Sequence, residues 1–174
     1  MNEVLKCLEE RKSCRSYKPE QITEEELQAI LRAGTYAATG KGRQSPKIVV
    51  LQKPEDIGEL ERMNAAILGN PAAKPFYGAP TVCVILADAD FFTSVEDGSL
   101  VLGNMMNAAW SLGVGSCWIH RAREEFASEE GKALLKKWGV EGDYIGVGHC
   151  ILGYPTGEYR PKAERKSDYI VRIK

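Results

Sequence analysis

Residues 11–18, RKSCRSYK, bring Arg11, Lys12, Arg15 and Lys18 together with Ser13 and Ser16, and no carboxylate falls among them. A second concentration lies in the tail, where Arg160, Lys162, Arg165, Lys166, Arg172 and Lys174 outnumber Glu164 and Asp168. A phosphate monoester carries roughly −1.5 to −2 charges and three strong acceptor oxygens. The planar fork of arginine matches such a group, and hydrogen bonds to a charged partner contribute about 1.5–3 kcal/mol each. Two or three such contacts would hold a small phosphorylated molecule. On composition alone, two solvated loops explain the same charges equally well.

Other chemistries find less support. GTYAATGKG at 34–42 imitates a phosphate-binding P-loop, but five residues separate Gly34 from Gly40 where four are needed, and Gly42 replaces the magnesium-binding hydroxyl. GVGSCW at 113–118 leads into a strand and lacks the third glycine of a dinucleotide fingerprint. His120 and His149 are far apart and have no neighbours at ligand spacing, so no metal site is expected and each histidine reads as structural. No Gly-x-Ser-x-Gly elbow marks a serine hydrolase.

These segments must be positioned by a frame of 174 residues with 44% hydrophobic and 27% charged side chains, enough for one domain spanning 1–174 with a proper core. The formal net charge of −1 argues against nucleic acid or an anionic membrane as the main partner. No apolar run reaches the roughly 18 residues of a membrane span. The charged start, MNEVLKCLEERKS, is not that of a signal peptide, and a cytoplasmic location is expected. Five cysteines without a Cys-x-x-Cys pair fit reduced thiols, and Cys83, Cys117 and Cys150 read as core fillers.

Val4, Leu5 and Leu8 predict a short amphipathic helix. Thr23 and Glu26 form a capping box, followed by the stripe Leu27, Ile30, Leu31 and a terminator at Gly34. Strands are predicted at 47–51 and 81–87, the latter apolar throughout as in a centre buried on both faces. A helix beginning near Pro54 lies between them. From Gly98 to Leu112 a helix apolar nearly all round belongs in a core or a subunit interface. The strand SCWI, a helix ending near Trp138, the strand YIGVGHCIL and a strand-like tail, DYIVRIK, complete a layered α/β or α+β pattern.

Four motifs, in order, resemble the nitroreductase family of FMN-dependent oxidoreductases. Arg-Lys-Ser-Cys-Arg-Ser-Tyr at 11–17 resembles its opening Arg-x-Ser-x-Arg-x-Phe/Tyr. Ala37-Ala38 followed by TGKGRQSP is similar to its second loop. SLGVGSCWI at 111–119 resembles its Leu-Gly-x-Gly-(Ser/Thr)-Cys-Trp-Ile segment. HCILGYP at 149–155, with Arg165-Lys166 beyond, resembles its Leu-Gly-Tyr-Pro strand and basic pair.

The resemblance implies an α+β fold, a three-layer α-β-α sandwich with a mixed or antiparallel sheet. It implies a homodimer with two interfacial FMN sites, the C-terminal strand passing to the partner subunit. Arg11 and Ser13, with Lys12 alongside, would take the ribityl phosphate and chain, and Arg15 would lie near flavin N1 and the C2 carbonyl. Arg165 with Lys166 or Lys162 would complete the phosphate site. Thr39 and Gln44 would come from the partner, and backbone amides near His120 and Arg121 would approach N5. The flavin carries the chemistry, so no catalytic side chain is expected. NADH or NADPH would donate hydride in a ping-pong cycle, and a nitroaromatic, a quinone or a similar flat small-molecule oxidant would accept it. A flavin store of the same fold and a non-flavin module binding a phosphorylated partner remain alternatives.

This sequence departs from the family pattern in two places. Gln44-Ser45-Pro46 stands where many relatives have Gln-Pro-Trp. The loop PAAKPFYG offers only Lys74 as a polar contact, with Phe76 or Tyr77 lining the pocket. The chain is also short of room for an inserted lid, which implies an open site. Trp118 reads as core, and Gly113 and Gly115 fit either a turn or a close backbone approach.

Overall fold

The computed structural model describes residues 2–157 and 159–173. Its core is a sheet of β1 (Lys47–Leu51), β2 (Thr81–Asp88), β3 (Gly115–Ile119) and β4 (Tyr144–Gly153) in the order β1-β2-β4-β3. Every pairing among these four strands is antiparallel. The period-2 alternation of β2 decides which side chains serve which face. Val82, Val84 and Leu86 enter one core, with Leu60, Met63, Phe126 and Leu134, while Cys83, Ile85 and Ala87 enter the other, with Leu27, Ile30, Leu102 and Met105.

Helices α3 (Pro54–Ile67), α5 (Ala122–Ala127) and α6 (Glu129–Lys137) cover the first face, and α2 (Glu24–Thr35) and α4 (Ser94–Ser111) the second. This is the expected α-β-α sandwich. A bulge between Ile85 and Leu86 of β2 leaves Val147 of β4 outside the register. That valine lies against Gly98, where an added Cβ would come within 2.6 Å of it.

The capping box of α2 forms as predicted, with Thr23 Oγ1 accepting from the Glu26 N–H and Glu26 accepting from the Thr23 N–H. Gly34 is not a terminator. It is the buried penultimate residue of α2, and a Cβ there would stand 2.9 Å from Met105 Cγ, so its smallness serves the packing of α2 on α4. The helix expected to end near Trp138 is two helices, broken at Ser128.

Helix α1 (Glu3–Glu10) buries none of its residues in this chain, and Val4, Leu5 and Leu8 are exposed. It is tied to α4 by Cys7 Sγ donating to the Asn107 carbonyl. The tail from 159 to 173 forms no strand, and Tyr169, Ile170, Val171 and Ile173 are exposed. The expected terminal strand is therefore absent from the described residues of one chain, because a strand needs an edge to pair with and the tail meets none here. Lys174 lies outside those residues.

Candidate functional site

The first cationic segment is laid out as a ribbon. Ser13 bridges Ser116 of β3 in parallel, and the Cys14 N–H donates to the Ser116 carbonyl at 2.8 Å. On its other side Tyr17 bridges Pro155, the Lys18 N–H donates to the Tyr154 carbonyl at 2.8 Å, and the Ser16 and Thr156 hydroxyls meet at 2.5 Å. Gly115 lets the ribbon in, since a Cβ there would fall 2.8 Å from Cys14 Sγ. Gly113, with φ 76°, makes the turn out of α4.

Held this way, Arg15, Ser13, Cys14 and Arg11 all act on the thiol of Cys117. Burial pushes its thiol up, while the Arg15 guanidinium, a hydrogen bond with Ser13 and the Arg11 guanidinium pull it back. Arg11 Nη1 is buried and has no partner among the described residues. A buried guanidinium nitrogen without an acceptor costs free energy unless an anion supplies one. Cys83 and Cys150 sit wholly in the core, where burial pushes the Cys83 thiol up to about 12.

Beside this cluster opens a pocket of about 350 Å³, lined among others by Arg15, Lys74, Tyr77, Cys117, Trp118, His120 and Arg121, with no carboxylate in its wall. Lys74 and Tyr77 thus both reach the pocket, the lysine paired at 3.5 Å with Glu61. Trp118 is half-buried and packs over Gly148, so core packing and pocket lining are both its work. His120 and Arg121 form the turn between β3 and α5. Among the described residues neither backbone N–H finds an acceptor.

Thr39 and Gln44 lie elsewhere. They line a separate cleft of about 400 Å³ with Leu31, Ile48 and Val101. The Gln44 N–H donates to Thr39 Oγ1 at 3.0 Å, and the Gly40 N–H donates to Asp97 Oδ1 at 2.9 Å. A single chain therefore does not bring Thr39 and Gln44 to Arg15 or Arg121. Arg165 and Lys166 sit on the exposed tail and line no pocket with Ser13 or Arg15. The tail residues that reach this region are Tyr159 and Arg160, which line a cavity of about 350 Å³ with Ser13, Arg15 and Ser16, and Lys162, which donates to the Glu9 carbonyl at the end of α1. Lys12 is half-buried and lines neither pocket.

The non-glycine residues with left-handed backbone are Lys41, Gln44, Tyr77 and Arg121, at φ 53, 53, 54 and 80°. All four fall in the loops around these two clefts. Such conformations cost an L-residue roughly 1–2 kcal/mol and persist where surrounding structure holds them, often at functional sites.

Sequence reading missed Asn64 and Asp97, both buried. Each interrupts an apolar helix face at a position where Leu or Ala would pack, which is the signal that could have found them. His149 is structural as expected, its Nε2 2.5 Å from Glu125 Oε2 in the core. No cluster of three or more His, Cys, Asp or Glu able to hold a metal occurs among the described residues. No helix there is long and apolar enough to cross a membrane.

The nitroreductase family model matches residues 8–154, from α1 through the end of β4 and so over both clefts. The chain belongs to the nitroreductase family. A nitroreductase of Bacteroides fragilis, crystallised with bound FMN, is 28% identical with a TM-score of 0.92 over 100% of both chains. One of Desulfitobacterium hafniense, also with bound FMN, is 28% identical with a TM-score of 0.91 over 100% of both chains. A relative from Archaeoglobus fulgidus, provisionally named an NADH dehydrogenase/NAD(P)H nitroreductase, is 29% identical over 160 residues, 91% of this chain and 88% of its own. The resemblance drawn from four motifs is thus borne out, and this nitroreductase is an oxidoreductase.

Proposed function

We propose that this nitroreductase binds FMN and uses NADH or NADPH to reduce a flat acceptor, such as a nitroaromatic or a quinone, in a ping-pong cycle. The observation that carries the reading is Arg11, on one ribbon with Ser13 and Arg15, whose buried Nη1 finds no acceptor among the described residues. A phosphorylated, partly anionic cofactor fits that donor set. When bound, the flavin would supply hydride transfer at its ring.

The chain's own contribution is to bind and orient. Arg11 and Ser13, with Lys12 and the tail cations Lys162, Arg165 or Lys166, would hold the phosphate. Arg15 would face the side of the ring where reduction concentrates negative charge, which favours the reduced state electrostatically. The N–H groups of the His120–Arg121 turn would donate toward N5. Thr39 and Gln44 would approach from a second copy, with the tail crossing between subunits, which places two sites at a homodimer interface. With little room for an inserted lid, the same open pocket would admit donor and acceptor in turn. A cytoplasmic location belongs to the same reading, motivated by five cysteines that are all free.

An anaerobic titration tests the proposal. The purified protein should carry flavin absorption bands, bleach with one of the two nicotinamides, and recover colour with a quinone or nitroaromatic. A colourless protein that takes up no added FMN would refute it, and a coloured one that never bleaches would be a flavin store.

A further inference from the structure

Asn64 lies on α3 between Leu60 and Ile67, fully buried against the β3–α5 turn. Both ends of its amide are used on two adjacent residues. Nδ2 donates to the His120 carbonyl at 2.9 Å, and Oδ1 accepts from Arg121 Nε at 2.9 Å. A flipped amide would set donor against donor and carbonyl against carbonyl, so the partners fix its orientation. Arg121 has φ 80° and ψ 1°, the left-handed region, where an arginine needs outside support. Its own side chain does not cap α5, whose first residue follows it.

We infer that Asn64 is a positioning residue: it clamps the His120–Arg121 turn in the conformation that offers its N–H groups to the flavin. This rests on the reading above, in which those groups face N5. A purely packing role would be served by an apolar side chain, as at Leu60 one turn earlier. Such a residue would leave the His120 carbonyl and the Arg121 guanidinium without these partners, and Arg121 would be free to relax to negative φ. The clamp is neutral, so it fixes the turn without placing a charge under the pocket.

The test compares apoprotein variants by FMN dissociation constant, thermal midpoint and crystal structure. Asn64→Leu removes both hydrogen bonds and is expected to weaken FMN binding about fivefold, the loss of roughly one neutral hydrogen bond, with Arg121 leaving φ near 80°. Asn64→Asp keeps an acceptor for Arg121 but loses the donor to His120, so its loss should fall between wild type and Asn64→Leu. Met63→Ala, next door on α3, removes neither of these hydrogen bonds; it should lower the thermal midpoint and leave FMN affinity within about twofold. Asn64→Leu binding FMN as wild type does, with Arg121 unmoved, would overturn the inference while leaving the proposed function standing. If that variant does not fold, unchanged affinity in Asn64→Asp overturns it equally. A Met63→Ala loss as large as that of Asn64→Leu also overturns it, because general destabilisation would then suffice. If the wild-type protein takes up no FMN, the proposed function itself has failed.

Discussion

Arg11 and Arg15 stand four residues apart on one ribbon, yet their removal should have different consequences. Arg11 is half-buried with a nitrogen that finds no acceptor among the described residues, while Arg15 is exposed and lines the neighbouring pocket. A charged hydrogen bond contributes about 1.5–3 kcal/mol, so Arg11→Ala should raise the FMN dissociation constant by about 10- to 100-fold. Arg15→Ala should act mainly on the midpoint potential, moving it about 30 mV more negative, the two-electron equivalent of about 1.4 kcal/mol. Fluorescence titration and spectroelectrochemistry on both variants separate the roles. Equal effects of the two substitutions on both properties would show that the ribbon acts only as a diffuse positive patch.

At the scale of elements, the start of α2 is joined to the end of β4 by one carboxylate. Glu26 completes the capping box and accepts from the Tyr154 hydroxyl at 2.6 Å. The Tyr154 bond, then the contacts with Thr23, hold its pKa below the ordinary 4.5. A depressed carboxylate contributes stability that is present above about pH 4.5 and lost as pH falls through the lower folded value. The same bond raises the Tyr154 pKa above 10, so that contribution is present below pH 10 and lost as pH rises. Glu26→Ala leaves Thr23 as N-cap but removes the reciprocal half of the box and the Tyr154 bond, and should cost about 1 kcal/mol near neutrality, or about 2–4 °C in thermal midpoint. The gap to wild type should close in acid below pH 4.5, and a gap unchanged at pH 3 would disprove the linkage. The sequence announced this cap outright, because Thr23 and Glu26 are three residues apart and the motif is local. It also announced β2, whose unbroken apolar run is the pattern expected of a strand covered on both faces. The strand order and the purpose of Gly34 were not readable, since the first depends on pairings between distant segments and the second on Met105, 71 positions away. The Asn64 clamp was hidden for the same reason, its partners His120 and Arg121 being 56 and 57 residues along.

The whole molecule leaves two things unfinished in one chain. Apolar side chains stand uncovered, with Leu5 48%, Leu8 52% and Leu100 50% exposed on α1 and α4, and Ile170 and Val171 bare on the tail. Five predicted site residues are also split between two clefts that share no lining residue, Arg15, His120 and Arg121 in one and Thr39 and Gln44 in the other. The proposed homodimer would answer both facts: a second copy would cover the α1–α4 surface and bring its Thr39–Gln44 loop to the first copy's Arg11–Arg15 ribbon. Separate chains would then supply the two halves of each site, and that can be tested by complementation. Arg11→Glu damages one half and Thr39→Trp the other, and each homodimer should bind FMN poorly at both sites. Mixing the two under conditions of subunit exchange produces heterodimers with one doubly damaged site and one intact site. With random reassortment about a quarter of all sites should regain tight FMN binding, as the two-fold symmetry of a dimer requires. If each site were built within one chain, every site in the mixture would still carry a defect, and mixing would restore nothing.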